Sequence, residues 1–228
     1  MPITAESAGD ALSVVANKLL HSEIVEPEGY TVLSRISGEL KRHKNAVSWV
    51  TEVDRGDPIR FVKHKDRGGK TIAPAITAKK IWVDQKERTT PPFASLDLAL
   101  EIDDDQGNPV SRWHLDLANV HGGVAQNGPL FHLQYGGHHH DAGHLDHPLR
   151  VPRWCHPPME LALLSELVAA NFYEANWLDM RDDPNWCRAI TLFQKLCYKH
   201  YAQRLTSSLS QSSTTTLNTM WASAWRDS

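Results

Sequence analysis

The stretch Ser95–Val120, SLDLALEIDDDQGNPVSRWHLDLANV, is the clearest indication of the fold, because two alternating segments flank a strong turn. In the first segment apolar residues occupy every second position: Leu96, Leu98, Leu100 and Ile102. The second segment follows the turn Asp103–Pro109 and alternates in the same way from Trp113 to Leu117. Because side chains alternate across a strand, this period of two predicts paired antiparallel strands with one buried face.

The segments on either side extend this pattern into an α+β fold, with an N-terminal helix, an antiparallel β-meander and C-terminal helices packed on one face. Residues 4–24 have helical spacing, and Thr4 is suited to cap the helix. Short segments rich in β-branched and aromatic residues predict strands from Tyr30 to about Ile102, beginning with YTVLSRISGEL. After Pro157 a largely apolar segment predicts a buried helix. Asp183 is then expected to cap a further helix that ends near Leu205.

These elements predict a single α+β domain over residues 1–205, followed by a tail. Within it we assign residues 1–28 to the N-terminal helix, 29–137 to the antiparallel sheet and 157–205 to the helical part. Residues 206–228 form a Ser/Thr-rich tail whose composition is typical of a flexible segment. Its two tryptophans, Trp221 and Trp225, are expected to anchor the tail to its own chain or to a neighbour.

The composition limits the classes of function. The 228 residues are 41% hydrophobic and 22% charged, which indicates a globular protein, and the net charge of -3 gives no general attraction to nucleic acid. Nucleic acid stays open as a partner because basic residues crowd the segment 41–70. The absence of a signal-like N-terminus and of an apolar run of about 20 residues predicts no membrane association. Three cysteines without a CxxC pattern favour a reducing, cytoplasmic compartment.

Polar side chains on two of the predicted strands are the best catalytic candidates. Arg112, His114 and Asp116 alternate with the apolar set of their strand, and His132 and Gln134 do so in PLFHLQYGG. If both apolar sets enter one core, these polar residues meet on the opposite surface, where Asp97 and Glu101 could join them. The alternative is the ordinary solvent-facing side of an antiparallel sheet.

A histidine-rich loop follows those strands, in the stretch FHLQYGGHHHDAGHLDH from Phe131 to His147. Imidazole nitrogens are ligands for zinc and manganese, so the loop predicts a metal site formed by His138, His140, His144 and His147. An exposed loop with no ligand is the alternative. Further along, Cys155 and His156 are adjacent, and neighbouring residues on an extended chain point apart, so they are not expected to form a dyad.

Two functions are compatible with these features. The first is a hydrolase or nuclease-like enzyme in which His114 or His132 acts as a base or metal ligand, oriented by Asp116, while Arg112 neutralises charge. In that case Gln134, Arg150 and Arg153 would contact substrate, with zinc or manganese bound or with no metal. The second is a non-catalytic subunit that contacts a protein partner, or another copy of itself, through its aromatic C-terminal part: Trp177, Trp186, Trp221 and Trp225.

Overall fold

The structure, a computed structural model, describes residues 2–86, 92–118, 120–121, 124–136 and 151–225. The helices are α1 Ala5–His21, α2 Pro27–Arg42, α3 Leu161–Phe172, α4 Glu174–Met180, α5 Pro184–Leu209 and α6 Thr216–Thr219, with a closing 3-10 turn at Ser223–Trp225. The strands are β1 Ser48–Val53, β2 Ile59–Arg60, β3 His64–Lys65, β4 Thr71–Asp84, β5 Phe93–Asp104, β6 Pro109–Leu117, β7 Val120–His121, β8 Val124–Ala125, β9 Phe131–Tyr135 and β10 Trp154–Cys155.

Within the described residues, eight strands form one antiparallel sheet. Its order is β1-β4-β5-β6-β9-β10, with β2 and β3 also paired to β4, while β7 and β8 form a separate hairpin. Strands β4, β5 and β6 are consecutive both in sequence and in the sheet, and β9 continues the meander after the small hairpin. The expected α+β class is therefore confirmed, including its antiparallel meander.

The apolar face of the meander forms the core with the helices. Leu96, Leu98 and Leu100 of β5 are buried, as the alternation predicts, and Leu115 of β6 is buried beside them. Residues from α1, α2, α3 and α5 belong to the same buried cluster. Because the helices bury one face of the strands, the other face is left for polar side chains.

The helix starts follow from local capping chemistry. Thr4 caps α1: its hydroxyl accepts a hydrogen bond from the Ser7 backbone N–H, and the Ser7 hydroxyl accepts one from the Thr4 backbone N–H. Glu160 caps α3 by accepting from the backbone N–H groups of Ala162 and Leu163. These side chains satisfy N–H groups that have no partner within the helix, so each fixes where its helix begins.

The segment predicted as the first strand is instead helix α2. Its buried residues Val32, Leu33, Ile36 and Leu40 repeat at helical spacing and pack against the core. Pro27 occupies the first turn of α2, where proline is favourable because its fixed φ suits a helix start and its missing N–H would have no partner within the helix. A Cβ on Gly29 would lie 2.3 Å from the Arg60 carbonyl oxygen, so glycine lets α2 approach β2 closely. The β-branched content pointed to a strand, but the apolar period and this packing favour the helix.

The C-terminal segment packs against the rest of the domain. Helix α5 continues to Leu209 rather than ending near residue 205, and the backbone at Met220 and Ala222 bonds to Leu130 and Gly128 respectively. Trp186 and Trp225 are 1% and 4% exposed. Because both side chains are buried within the chain, they are not available as the partner contacts that the non-catalytic subunit hypothesis expects. A protein or homo-oligomer partner stays a prediction. Among the described helices, none has the length and hydrophobicity needed to cross a bilayer.

Candidate active site

The strand register brings the predicted polar residues onto one face. Asp116 of β6 lies directly opposite His132 of β9, and His114 lies opposite Gln134. On the other side of β6, Asp97 of β5 lies opposite Asp116. Directly opposed residues share a face, with Cβ atoms about 5 Å apart. Three neighbouring strands therefore place these side chains on the same face of the sheet.

A cleft of about 500 Å³ lies over this surface. It is lined by Glu52, Val53, Asp54, Arg55, Thr77, Ala78, Lys79, Asp97, Ala99, Arg112, His114, Asp116 and Gln134. The lining includes four of the predicted site residues, Arg112, His114, Asp116 and Gln134. A concave site with convergent polar groups is the usual form of a small-ligand site in proteins.

Asp97, His114 and Asp116 lie close together in the lining of the cleft. One potential ligand atom from each residue lies within 4.8 Å of the others. Imidazole nitrogen and carboxylate oxygen suit zinc, manganese and iron, so these three side chains could hold a divalent cation. His114 and Asp116 were expected at the site, and Asp97 joins them as a candidate ligand through its pairing with Asp116.

Burial and a neighbouring negative charge raise the pKa of Asp116. Desolvation, followed by repulsion from Asp97, raises the pKa of Asp116 from 3.8 to about 7, although Arg112 and Arg153 act in the opposite direction. Its Oδ1 atom is buried and accepts no hydrogen bond from the part of the chain that the structure describes. A carboxylate in this setting is stabilised by a proton or by a cation, because it lacks other compensation for its lost hydration.

An ionic group involving Glu101 forms the adjacent wall. Its Oε1 atom lies 3.3 Å from Arg112 Nε and 3.2 Å from Arg55 Nε. The Thr77 hydroxyl donates a hydrogen bond to the same oxygen. Burial lowers the pKa of Arg112, but a guanidinium remains protonated at neutral pH. Arg112 and Arg55 therefore bring positive charge to the side of the cleft next to His114.

His132 is placed differently from His114. It is 3% exposed and is not among the residues that line the cleft, and its Nδ1 atom lies 3.2 Å from the Pro129 carbonyl oxygen. The contact that orients its ring is therefore Pro129 rather than the expected Asp116. Desolvation and the nearby Arg153 lower the pKa of His132 to about 4, so the imidazole is neutral at pH 7.

Of the predicted substrate contacts, Gln134 lines the cleft and Arg153 hydrogen-bonds to Gln134. Arg153 Nε donates to Gln134 Oε1 at 3.3 Å, and its Nη1 donates to the Asn127 carbonyl oxygen. Arg153 thus holds Gln134 in place. The predicted metal ligands of the histidine loop, together with Arg150, lie outside the described residues: His138, His140, His144 and His147.

The cross-strand neighbour of Cys155 could not be predicted from the sequence. Cys155 lies directly opposite His132, in the short edge strand β10. The sequence shows its neighbour His156 but not its cross-strand neighbour, because β9 and β10 are joined through a long segment with no strand signal of its own. Only the register of the two strands identifies the pair.

Comparisons of this chain with protein-family models, with curated proteins and with solved structures find no match. We therefore infer a function from the geometry and chemistry of the cleft.

Proposed function

We propose that this chain is a hydrolase that binds a divalent cation, zinc or manganese, through Asp97, His114 and Asp116. The observation that carries the proposal is the convergence of these three ligand atoms within 4.8 Å in the cleft. A bound cation would lower the pKa of a coordinated water and so supply a hydroxide nucleophile near neutral pH.

The electrostatics of the three residues support a cation. Asp97 and Asp116 repel each other, and Asp116 is desolvated, so its charged form is costly without a positive neighbour. Arg112 and Arg153 offset only part of this cost, because the pKa of Asp116 stays near 7. A divalent cation would interact with both carboxylates at once and keep them ionised.

The positive groups beside the cluster favour an anionic substrate. Arg112 and Arg55 share one carboxylate, that of Glu101, and Lys79 also lines the cleft. A phosphodiester develops negative charge on its oxygens during hydrolysis, and such side chains stabilise that charge. Phosphodiesters are therefore the first substrates to test, and single-stranded RNA and DNA are the natural polymers of this class.

Metal binding is tested by calorimetric titration of the purified, untagged chain with Mn²⁺ and with Zn²⁺. We expect one equivalent to bind, and Asp116→Asn to weaken the affinity by at least about tenfold through loss of a charged ligand. Asp105→Asn is the matched control, since Asp105 is exposed on the β5–β6 turn and lies outside the cleft. No binding to the wild-type chain, or equal losses in both variants, would contradict the site.

Hydrolysis is tested with bis(p-nitrophenyl) phosphate and with labelled single-stranded RNA and DNA. Turnover should require the cation, disappear on addition of EDTA and fall by about 100-fold or more in Asp116→Asn. Arg112→Gln should lower the turnover while leaving the affinity for the metal within a few-fold. If the chain binds the metal but cleaves none of these substrates, the metal site is supported and the proposed hydrolysis is contradicted.

A further inference from the structure

An exposed apolar pair lies on the same face of the sheet as the cleft. Trp82 of β4 and Val50 of β1 are directly opposite each other and are 37% and 47% exposed. Glu52, two residues along β1 from Val50, is also exposed and lines the cleft. Because residues two apart in a strand share a face, this pair, the Trp82–Val50 platform, continues the surface that contains the cleft.

The indole of Trp82 is held in one orientation. Its Nε1 atom donates a hydrogen bond to the Ser48 hydroxyl oxygen at 3.3 Å. The Lys80 ammonium lies over the ring, 4.8 Å from its centroid. One face of the indole is therefore in contact with a long, flexible side chain, which a flat ligand can displace. A ring that is already oriented accepts a stacked ligand with little further loss of side-chain freedom.

The strand register sets the distance from this platform to the proposed metal ligands. Lys80 lies directly opposite Asp97, and Trp82, two residues along, lies opposite Ser95. Trp82 is therefore a diagonal neighbour of Asp97 on the same face, and such neighbours are about 7–8 Å apart. The base and the phosphate of one nucleotide are separated by a comparable distance. A base stacked on Trp82 would thus place its own phosphate at the edge of the cleft.

Two lysines bring positive charge to this part of the surface. Lys79 lines the cleft, and Lys80 contacts Trp82 through its ammonium while lying opposite Asp97 in the register. An aromatic ring for stacking, together with cations for the phosphates, is the combination with which proteins bind single-stranded nucleic acid. A phosphodiester without a base would contact the lysines but would have no flat group to place on the indole.

We propose that the Trp82–Val50 platform stacks a base of single-stranded nucleic acid, and that Lys80 pairs with a phosphate of the same strand. This inference rests on the proposed function, because it assigns the neighbouring phosphodiester to the cleft as the bond that is hydrolysed. It narrows the substrate class from phosphodiesters in general to single-stranded RNA and DNA. Every base has a π face, so the platform selects for the presence of a base rather than for a sequence.

The test is the affinity for a short fluorescein-labelled oligothymidylate, measured by fluorescence anisotropy with EDTA present so that the strand is not cleaved. Trp82→Ala should weaken binding by at least about fivefold through loss of stacking. Trp154→Ala is the matched control and should leave the affinity within about twofold. Trp154 is 65% exposed, but its partner Leu133 lies opposite buried Leu115, on the helix-covered face of the sheet.

A second probe separates stacking from contact with the phosphates. An abasic oligonucleotide of the same length has the phosphates but no bases, so Trp82→Ala should leave its affinity unchanged while Lys80→Gln lowers it. Trp82→Phe retains a flat ring and should keep most of the affinity for oligothymidylate. Trp82→Leu retains only an apolar contact with Val50 and should not. If urea denaturation shows that Trp82→Ala unfolds the chain, these last two variants decide the result.

Three outcomes would overturn the platform: no binding of oligothymidylate by the wild-type chain, equal losses in Trp82→Ala and Trp154→Ala, or an equal loss of the abasic strand in Trp82→Ala. Because this assay contains neither free metal nor cleavage, those outcomes are separate from the outcome of the hydrolysis assay. Binding through Trp82 by a chain that cleaves no strand would support the platform and contradict only the proposed reaction.

Discussion

The two faces of strands β5 and β6 are made by alternating residues of the same two segments and have opposite chemistry. On one face Leu98 and Leu115 are buried beneath the helices. On the other, Asp97 and Asp116 lie opposite each other in a cleft. The apolar face gains stability from burial, whereas the polar face holds two carboxylates whose mutual repulsion opposes folding. Stability therefore comes from the helix-covered face, and the cleft face is available for function.

Two carboxyl groups with similarly raised pKa values show the same difference. Burial raises the pKa of Glu160 to about 7, and this side chain accepts hydrogen bonds that begin helix α3. Asp116 also has a pKa of about 7, but its buried Oδ1 accepts no hydrogen bond from any described residue. Glu160 thus has a structural role as a helix cap. Asp116 has no comparable role in the described structure, which is why it is the candidate ligand.

The largest change in the free energy of unfolding should come from the apolar, helix-covered face of strands β5 and β6. Leu98→Ala removes a side chain that is 0% exposed, so we expect it to lower the free energy of unfolding by about 2–5 kcal/mol. Asp97→Asn, one position away on the cleft face, should change stability by no more than about 1 kcal/mol, or increase it by relieving repulsion. Urea denaturation measures both. Equal destabilisation by the two variants would contradict the division between faces.

An intermediate effect should appear in the pH dependence of stability. The folded state binds a proton at Asp116 more tightly than the unfolded state, so this residue's contribution to stability falls as pH rises from about 4 to 7. Asp116→Asn should remove that dependence and stabilise the chain above pH 7 by about 1–3 kcal/mol relative to wild type. Urea denaturation at a series of pH values, without metal, measures the difference.

Glu160→Gln is the matched control for that series. It also removes a raised pKa, so it too should flatten the wild-type pH dependence, in this case between about 4.5 and 7, while the amide oxygen preserves the helix cap. The two variants should differ when Mn²⁺ or Zn²⁺ is added, because only Asp116→Asn should lose stabilisation by the cation. Loss of the metal response in Glu160→Gln would contradict the distinction between the two carboxyl groups.

The smallest effect should come from the rim of the cleft. Arg55 is 63% exposed, so its ion pair with Glu101 is largely screened, and Arg55→Gln should change the free energy of unfolding by less than about 1 kcal/mol. Arg112 is 15% exposed and pairs with the same oxygen, so Arg112→Gln should cost about 1–3 kcal/mol. Thermal unfolding of the two variants side by side tests this order. A larger loss of stability in Arg55→Gln than in Arg112→Gln would contradict it.

The sequence was sufficient to predict the strand faces where the local alternation of apolar residues agrees with their burial in the fold. Leu96, Leu98 and Leu100 predicted a buried strand face, and the same period placed His114 and Asp116 opposite it, as the structure has them. The prediction was wrong at residues 30–40, where the β-branched residues suggested a strand although the apolar spacing fits helix α2. In that segment the contacts with other parts of the chain outweigh the composition.

What the sequence alone determined is the class of the fold, the face of each meander strand that enters the core, and the candidate residues on the other face. These follow from the period of the chain, which is a local property. Folding of the whole chain was needed to pair Asp97 with Asp116, to orient His132 by the Pro129 carbonyl, and to bring Cys155 opposite that histidine. Such contacts depend on strand register and on a distant C-terminal segment, and no local pattern of residues encodes either of them.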